Sequence, residues 1–348
     1  MFNMFNNVRM VQTEPGIIIG PLASLLGFIL DFMYNVIAFL AGYSALGWTI
    51  ILFTIIIHFA ILPMGIKMQK NMKKMQSLKP MQDVINEKYK DKKDKESQQQ
   101  KALEMQKLFS DNNVKPLAGC LPMLLQMPIM MTLFFMFQRS YLYISQLNQV
   151  YARIAEQVML VPNFYVYIQN TPSIGLDKIP QNMVISLGQQ TDLMRLFNVY
   201  TSYDWQTLLS VLPSQYLNYQ YIQQLIYQKE AMEHFLGISM SQNPGFGWPG
   251  ILLIILSGIT SFISSHIMMK NQPTPSVGAE GAASMMASQQ KMMTYFVPIM
   301  MTFMTVISPG ALGLYWIVSS IFRTGQQIGL NKWIEKKESK ESNIIDVK

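Results

Sequence analysis

Charged residues are scarce in this chain of 348 residues. Only 14% of the residues are charged, whereas half are hydrophobic. The hydrophobic residues are gathered in long blocks, whereas a soluble protein scatters them along its sequence. The composition therefore argues against an ordinary soluble protein and indicates a membrane protein.

Cysteine and enzyme motifs are lacking as well. The single cysteine, Cys120, excludes an intramolecular disulfide and any metal site built from several cysteines. The histidines His58, His234 and His266 are too dispersed in sequence to predict a metal site. The chain has no glycine-rich phosphate loop, no HExxH motif and no nucleophile elbow. We therefore expect no catalytic residues, no metal, no cofactor and no enzymatic activity.

Four or five hydrophobic runs approach the length of about 20 residues that a helix needs to cross a bilayer, and the last two of them are separated by the break Ser308–Pro309–Gly310. They cover residues 45–65, 117–137, 248–269, 293–307 and 311–328. An earlier run, 17–42, contains Asp31 and is ambiguous. We expect it to form an amphipathic helix on the outer leaflet, with a sixth span as the alternative. The predicted fold is all-α, a polytopic membrane protein with a five-helix transmembrane core.

Basic residues predict the orientation, because lysine and arginine near a span resist translocation. Segment 67–115 carries 13 lysines and is expected in the cytoplasm, as is the basic tail 329–348. Segment 139–247 has only five lysines and arginines and is expected outside. This pattern puts the N-terminus outside and the C-terminus in the cytoplasm. The basic residues alternate with acids and lack interleaved aromatics, so we expect no direct binding of nucleic acid.

Segment 67–115 reads as a helical hairpin, because Met68, Met72 and Met75 recur at helical spacing before the polar turn DKKDKES. Inside 139–247, helical stretches are expected around 193–203 and 217–236. The predicted divisions are an N-terminal extracytoplasmic segment (1–44), the first transmembrane helix (45–66), the cytoplasmic hairpin (67–115), the second transmembrane helix (116–138), an extracytoplasmic insertion (139–247), the third transmembrane helix (248–269), a cytoplasmic linker (270–290), the fourth and fifth transmembrane helices (291–328) and a basic cytoplasmic tail (329–348).

Polar side chains inside the expected spans are the most informative feature. His58 falls in the middle of the first span, where an ionisable side chain costs a few kcal/mol and should face a cavity or a partner. Thr54 lies one turn earlier on the same helix face. Two interpretations stay open for His58: a residue in a water-accessible groove, or a neutral histidine hydrogen-bonded inside the bundle.

The third span carries serines at helical spacing, and the other spans carry further polar or aromatic residues. Such small residues favour close helix packing, and they can equally line a wet cavity. The serines are Ser257, Ser261, Ser264 and Ser265, and the other candidates are Gln126, Tyr315, Trp316, Ser319 and Arg323.

Two long stretches resemble a known family. NVKPLAGCLPMLLQMPI (113–129) and QQKMMTYFVPIMMTFMTVISPGALGLYWIVSSIF (289–322) are similar to the second span and the last two spans of YidC-type membrane protein insertases, relatives of the Oxa and Albino proteins. FLGISMSQNPGFGWPGILLIILSGITSFIS (235–264) resembles the start of the family's third span. The chain looks like a Gram-positive-type member with an enlarged extracytoplasmic loop.

The resemblance implies a hydrophilic groove that is open to the cytoplasm and to lipid, through which newly made membrane proteins are inserted and helped to fold. It also implies a multi-pass protein of the bacterial cell membrane, with nascent membrane proteins and the lipid bilayer as partners. The hairpin and the tail are candidate contacts for the ribosome, the signal recognition machinery and the Sec translocon. The groove residues expected from this resemblance are His58, Thr54, Gln126, Ser261, Ser265, Tyr315 and Trp316.

One departure from the family concerns charge. The family groove usually carries an arginine in the first span, where this chain has His58. The ordinary pKa of histidine is about 6.5, so the groove is expected to hold little fixed positive charge at pH 7. Trp316 matches a groove tryptophan of Gram-positive relatives, whereas Ser265 aligns with a groove glutamine. The main alternative function is a transporter or channel that uses the intramembrane histidine and serines.

Overall fold

The computed structural model describes residues 19–42, 45–90, 92, 94–115, 121–178, 187–270 and 292–345. Within these ranges the chain is helical nearly throughout, which confirms the all-α polytopic fold. The helices are α1 (Ile19–Ala41), α2 (Ala45–Ser77), α3 (Lys79–Lys88), α4 (Lys95–Asp111), α5 (Leu121–Gln138), α6 (Ser140–Tyr143), α7 (Ser145–Met159), α8 (Phe164–Gln169), α9 (Gln190–Phe197), α10 (Ser202–Val211), α11 (Tyr219–Glu233), α12 (Trp248–Lys270), α13 (Val297–Ile307) and α14 (Gly310–Ile345).

Two antiparallel strands of two residues each, β1 (His234–Phe235) and β2 (Ile238–Ser239), form a hairpin between α11 and α12. Short 3₁₀ turns cover Leu176–Lys178 and Ser214–Tyr216, and a π-helical turn, Met292–Phe296, precedes α13. The described chain divides into two compact units. The first takes residues 1–53, 128–254 and 303–315, and the second takes 54–127, 255–302 and 316–348.

Three of the described helices are long and apolar enough to cross a membrane, namely α1, α2 and α12. The apolar helix that ends at Ile307 is shorter, and α14 carries serines and an arginine within its first turns. The start of the second expected span lies outside the described residues. The count of five core helices and the place of α1 therefore stay predictions.

Helix α2 continues past the expected boundary at residue 66. Its 33 residues extend for about 50 Å, which exceeds the bilayer's hydrocarbon thickness of about 30 Å. It ends at Ser77, three residues before Pro80, because proline has no N–H to donate to the carbonyl oxygen four residues earlier. The first arm of the lysine-rich hairpin thus begins as a continuation of the first span.

The second unit contains the expected helix pair, α3 and α4. Lys88 and Tyr89 at the end of the first arm both contact Glu104 of the second, with Nζ–Oε1 and Oη–Oε1 distances of 2.5 and 3.0 Å. These two hydrogen bonds hold the pKa of the Glu104 carboxyl below its usual range. The Asp94 carboxylate accepts from the Ser97 backbone N–H at 2.7 Å and thereby caps α4. The pair is present, and its side of the membrane stays a prediction.

We call the segment 139–247 the insertion subdomain, and its described residues, 139–178 and 187–247, contain six helices, α6 to α11. The expected stretch around 193–203 is wrong as a single helix, because α9 ends at Phe197 and α10 begins at Ser202. Thr201 and Asp204 form a capping box that starts α10. The buried apolar side chains of this subdomain include Leu147, Tyr151, Ile154, Leu193, Phe197, Trp205, Leu208, Ile222 and Leu225.

Helix α1 is joined to the insertion subdomain through its polar residues. The Asp31 carboxylate accepts from the backbone N–H and the hydroxyl of Ser145 at 2.7 and 2.8 Å. Ser145 is the first residue of α7, whose first N–H groups have no partner within the helix, so Asp31 caps that helix. Asn35 accepts from the Gln146 side chain at 2.8 Å. Most of the exposed side chains of α1 are apolar, including Leu25, Phe28, Phe32, Phe39 and Leu40.

The β hairpin lies against the first turn of α14. The backbone N–H groups of Gly310 and Ala311 donate to the carbonyl oxygens of Gln242 and Met240 at 2.9 and 3.1 Å. A Cβ atom at Gly310 would overlap the backbone oxygen of Ser239. A glycine is therefore required where the hairpin and the helix meet.

Gly310→Ala is expected to lower the free energy of unfolding by about 1–3 kcal/mol, because the backbone of the hairpin must shift to accept the methyl group. The matched control is Gly325→Ala on the same helix, since a Cβ atom there meets nothing within 4 Å. That change should be neutral or slightly stabilising. Thermal unfolding of the two detergent-solubilised variants, followed by circular dichroism, measures the difference; equal midpoints would contradict the assigned contact.

Candidate functional site

His58 has two hydrogen-bond partners inside the second unit. Its Nδ1 lies 2.8 Å from the carbonyl oxygen of Thr54, one turn earlier on α2. Its Nε2 lies 3.0 Å from the hydroxyl of Ser319 on α14. A carbonyl oxygen can only accept, so Nδ1 carries the proton and Nε2 of the neutral ring accepts from the Ser319 hydroxyl. The ring is buried, with 8% of the residue exposed, and it contacts the ring of Phe322 at 5.1 Å.

A second polar contact joins α12 to α14. The hydroxyls of Ser261 and Ser320 are 3.3 Å apart and share a hydrogen bond, and Ser261 also approaches the sulfur of Met301 at 3.9 Å. Ser257 and Ser264 are buried at the positions four residues before and three after Ser261. The predicted serine repeat therefore forms a buried polar face on α12.

Small residues let α12 and α13 approach each other closely. A Cβ atom at Gly258 would lie 2.5 Å from the hydroxyl oxygen of Thr302. This close backbone approach is typical of helix contacts inside membranes. It favours the packing interpretation for this part of the serine face.

Helix α14 connects the two contacts, because Ser319 and Ser320 are adjacent. Neighbouring residues on a helix point about 100° apart, so one serine reaches α2 while the other reaches α12. We call His58, Ser261, Ser319 and Ser320 the polar seam. The guanidinium Nε of Arg323 donates to the carbonyl oxygen of Ser319 at 3.3 Å. The seam residues are less than a tenth exposed, so this conformation packs them together and does not open them to water.

The other predicted groove residues have different surroundings. Thr54 is buried and supplies the carbonyl oxygen that orients His58. Gln126 and Ser265 are half-buried, and neither takes part in the hydrogen bonds of the seam described above. Tyr315 and Trp316 are buried, and the indole N–H of Trp316 has no acceptor among the described residues.

Ser320 is absent from the residues that the sequence predicts, and Ser319 is among the predicted intramembrane polar residues but outside the expected groove. The signal was the dipeptide at 319–320 within an otherwise apolar run. Sequence spacing alone could not pair either hydroxyl with a histidine 261 residues earlier or a serine 59 residues earlier.

Metal binding has no visible basis in the described part of the chain. No group of three or more His, Cys, Asp or Glu side chains within those residues is arranged to hold a metal ion. The chemistry of the seam is that of hydroxyl and imidazole groups, which donate and accept hydrogen bonds, with the fixed positive charge of the Arg323 guanidinium beside them.

Comparison with known proteins supports the resemblance. The model of the 60Kd inner membrane protein family matches residues 37–338. The membrane protein insertase YidC of Enterococcus faecalis is 26% identical over 314 residues, which cover 90% of this chain and 77% of the relative. The insertase MisCB of Bacillus subtilis is 27% identical over 323 residues, 90% of this chain and 82% of the relative. Insertase YidC 2 of Listeria innocua is 26% identical over 293 residues, 84% of this chain and 66% of the relative.

Proposed function

Because the chain belongs to the 60Kd inner membrane protein family, we propose that it is a membrane protein insertase, which helps newly made hydrophobic helices to enter the bilayer and fold there. It is a multi-pass protein of a bacterial membrane, and its substrates are nascent membrane proteins. The family is not one of known enzymes, and the relatives named above do not favour a transporter or channel.

The polar seam is the proposed contact site for the substrate. The observation that supports this proposal most strongly is on α14. Its adjacent residues Ser319 and Ser320 present their hydroxyls to two different neighbouring helices. When the helices separate, these hydroxyls and the His58 ring become available to the polar flank of an entering segment. The hydrogen bonds that hold the seam closed are then exchanged for hydrogen bonds to the substrate.

The seam lowers the free-energy barrier for moving polar backbone groups of the substrate into the hydrocarbon layer. An unsatisfied backbone N–H or C=O in hydrocarbon costs several kcal/mol, and the seam offers partners at that depth. Interhelical hydrogen bonds in membranes are worth only about 0.6–1.7 kcal/mol each. The free-energy cost of separating the helices at the seam is therefore small. The hydrophobic segment of the substrate meanwhile moves into lipid along the apolar faces of the helices.

Histidine in place of the family's arginine gives this seam a neutral character. A neutral His58 both donates and accepts, as its contacts with Thr54 and Ser319 illustrate. It therefore suits the mixed donors and acceptors of a peptide backbone, whereas arginine only donates. We propose that the seam hydroxyls and His58 recognise the polarity of the substrate flank, and that dependence on its charge comes from the neighbouring Arg323 guanidinium.

The orientation and the remaining partners belong to the same proposal. The helix pair α3 and α4, with its many lysines, is proposed to lie in the cytoplasm, where it can contact the ribosome, the signal recognition machinery or the Sec translocon. The insertion subdomain is then extracytoplasmic and the C-terminus cytoplasmic. Helix α1 is proposed to lie on the outer leaflet, because Asp31 bonds to α7 of that subdomain while its other face is apolar.

The test is insertion of a small single-spanning substrate into liposomes, scored by protection from added protease. Wild-type protein should give protection above empty liposomes, and His58→Ala should reduce it, because the substrate loses a hydrogen-bond partner at mid-membrane. Ile56→Ala is the matched control, since Ile56 lies two residues before His58 on the same helix and its side chain is exposed. Equal activity of wild type and His58→Ala would remove His58 from the site; no protection by wild type would contradict the insertase function.

A further inference from the structure

The tip of the β hairpin holds an exposed leucine in an unusual backbone conformation. Leu236 has a φ of 52° and is followed by Gly237 with a φ of 77°. Glycine and asparagine are the residues that favour such positive φ values in tight hairpin turns, whereas a leucine is strained there. The Leu236 side chain is 80% exposed, so packing within the chain does not explain its presence.

The hairpin lies beside the first turns of two helices. The ring of Phe235 contacts the ring of Trp48 on α2, with centroids 5.4 Å apart and planes at 77°. A Cβ atom at Gly237 would meet the ring of Pro249 on α12 at 3.6 Å. The tip of the hairpin therefore lies level with the start of both helices.

Both of these helices are apolar enough to cross a membrane, and each carries an exposed apolar stripe that begins with a tryptophan. On α2 the stripe starts with Trp48 and Leu52, and on α12 it starts with Trp248 and Leu252. Tryptophan is enriched where a span meets the water interface. The hairpin tip accordingly lies at the depth of an interface, next to surfaces that face lipid.

The composition around the tip fits lipid better than it fits a soluble partner. No Asp, Glu, Lys or Arg occurs from residue 234 to residue 269. Phe246 and Trp248, which follow the hairpin, are exposed as well. A protein partner of a surface exposed to water would usually meet charge at the rim of the contact, whereas acyl chains require none.

We propose that Leu236, together with Phe246 and Trp248, inserts into the extracytoplasmic leaflet and anchors the hairpin to lipid. The strained turn keeps the leucine pointed away from the protein, and the strands hold the turn against α2 and α12. This inference depends on the proposed orientation for the identity of the leaflet, and it does not depend on insertase activity.

A fluorescent label tests the contact in proteoliposomes. The native cysteine is replaced by Cys120→Ala, and an environment-sensitive dye is attached to Leu236→Cys. Spin-labelled lipid with its nitroxide near the headgroups should quench the dye several-fold more than aqueous iodide does. Tyr227→Cys on α11 is the matched control, because that side chain is 72% exposed, and we expect the opposite preference there.

Two results of the quenching experiment at position 236 would overturn the proposal. Iodide quenching at position 236 equal to that at position 227 would place the tip in water. Protection of position 236 from both quenchers would show that protein, such as a second copy of this chain, covers it. Leu236→Asn provides a separate check in the Cys120→Ala protein that carries the dye on Trp248→Cys. It should retain the thermal stability and lower the quenching of that dye by spin-labelled lipid, whereas unchanged quenching at position 248 would also contradict the anchor.

Discussion

Glu233→Ala is expected to lower the free energy of unfolding of the insertion subdomain by about 3–5 kcal/mol, because it leaves the Lys229 ammonium buried without its carboxylate. The Lys229 Nζ lies 3.0 Å from Oε2 of Glu233, and both side chains are almost completely buried. The hydroxyl of Tyr151 donates to Oε1 of the same carboxylate at 2.8 Å, and burial with this neighbouring charge raises the pKa of Tyr151. The ammonium also lies 5.6 Å from the ring of Trp205.

Limited proteolysis of the full-length protein across a temperature series measures this loss, since cleavage within 139–247 reports opening of the subdomain. A loss of this size should lower the midpoint by on the order of 10 °C or more. The double change Lys229→Met with Glu233→Leu is the informative control, because removal of both charges avoids an unpaired ion. Its midpoint should lie well above that of Glu233→Ala; a midpoint as low or lower would show that packing, and not charge pairing, dominates here.

Replacing both seam serines of α14, Ser319→Ala with Ser320→Ala, is expected to reduce insertion in the liposome assay more than either single change. Each hydroxyl serves a separate helix, so the double variant removes two different hydrogen bonds. Each such hydrogen bond is worth about 0.6–1.7 kcal/mol, and the variant also loses the bond of the closed seam, so each single variant should lose at most roughly threefold to sixteenfold in rate. The double variant should lose more than either single variant, and the departure from the product of the two losses measures the coupling between the adjacent hydroxyls.

The control for this series is Ile321→Ala, because Ile321 follows the two serines and is 60% exposed. Its insertion rate should match that of the wild type. Circular dichroism of each variant shows whether the helices persist. A double variant with unchanged activity would mean that the seam only packs the helices together.

The fold class and the main elements follow from hydrophobic patterning. Runs of apolar residues predict α2 and α12, and methionine spacing predicts the first arm of the hairpin. Apolar periodicity continues through residues 193–203, so it does not predict the break between α9 and α10. The capping box of Thr201 and Asp204 is a signal that can be read in the sequence, and it marks the start of α10.

Pairings between distant residues could not be predicted in the same way. The sequence indicates that Asp31 in an apolar helix needs a partner, and only the fold supplies Ser145. It likewise identifies His58 and the serines of α12 as polar residues within spans. Their partners on α14 depend on the rotation of each helix about its axis. A small error in the assumed number of residues per turn accumulates along a long helix, so the sequence does not determine that rotation.

The central claim is that the polar flank of a substrate contacts the seam while its hydrophobic segment contacts lipid-facing positions. Disulfide crosslinking during insertion tests it most directly, with Ser320→Cys and Ile321→Cys placed singly in the Cys120→Ala protein. A substrate cysteine in the polar flank should crosslink to position 320, and one in the hydrophobic segment should crosslink to position 321. A polar flank that crosslinks at position 321 and never at position 320, while insertion proceeds, would contradict the account.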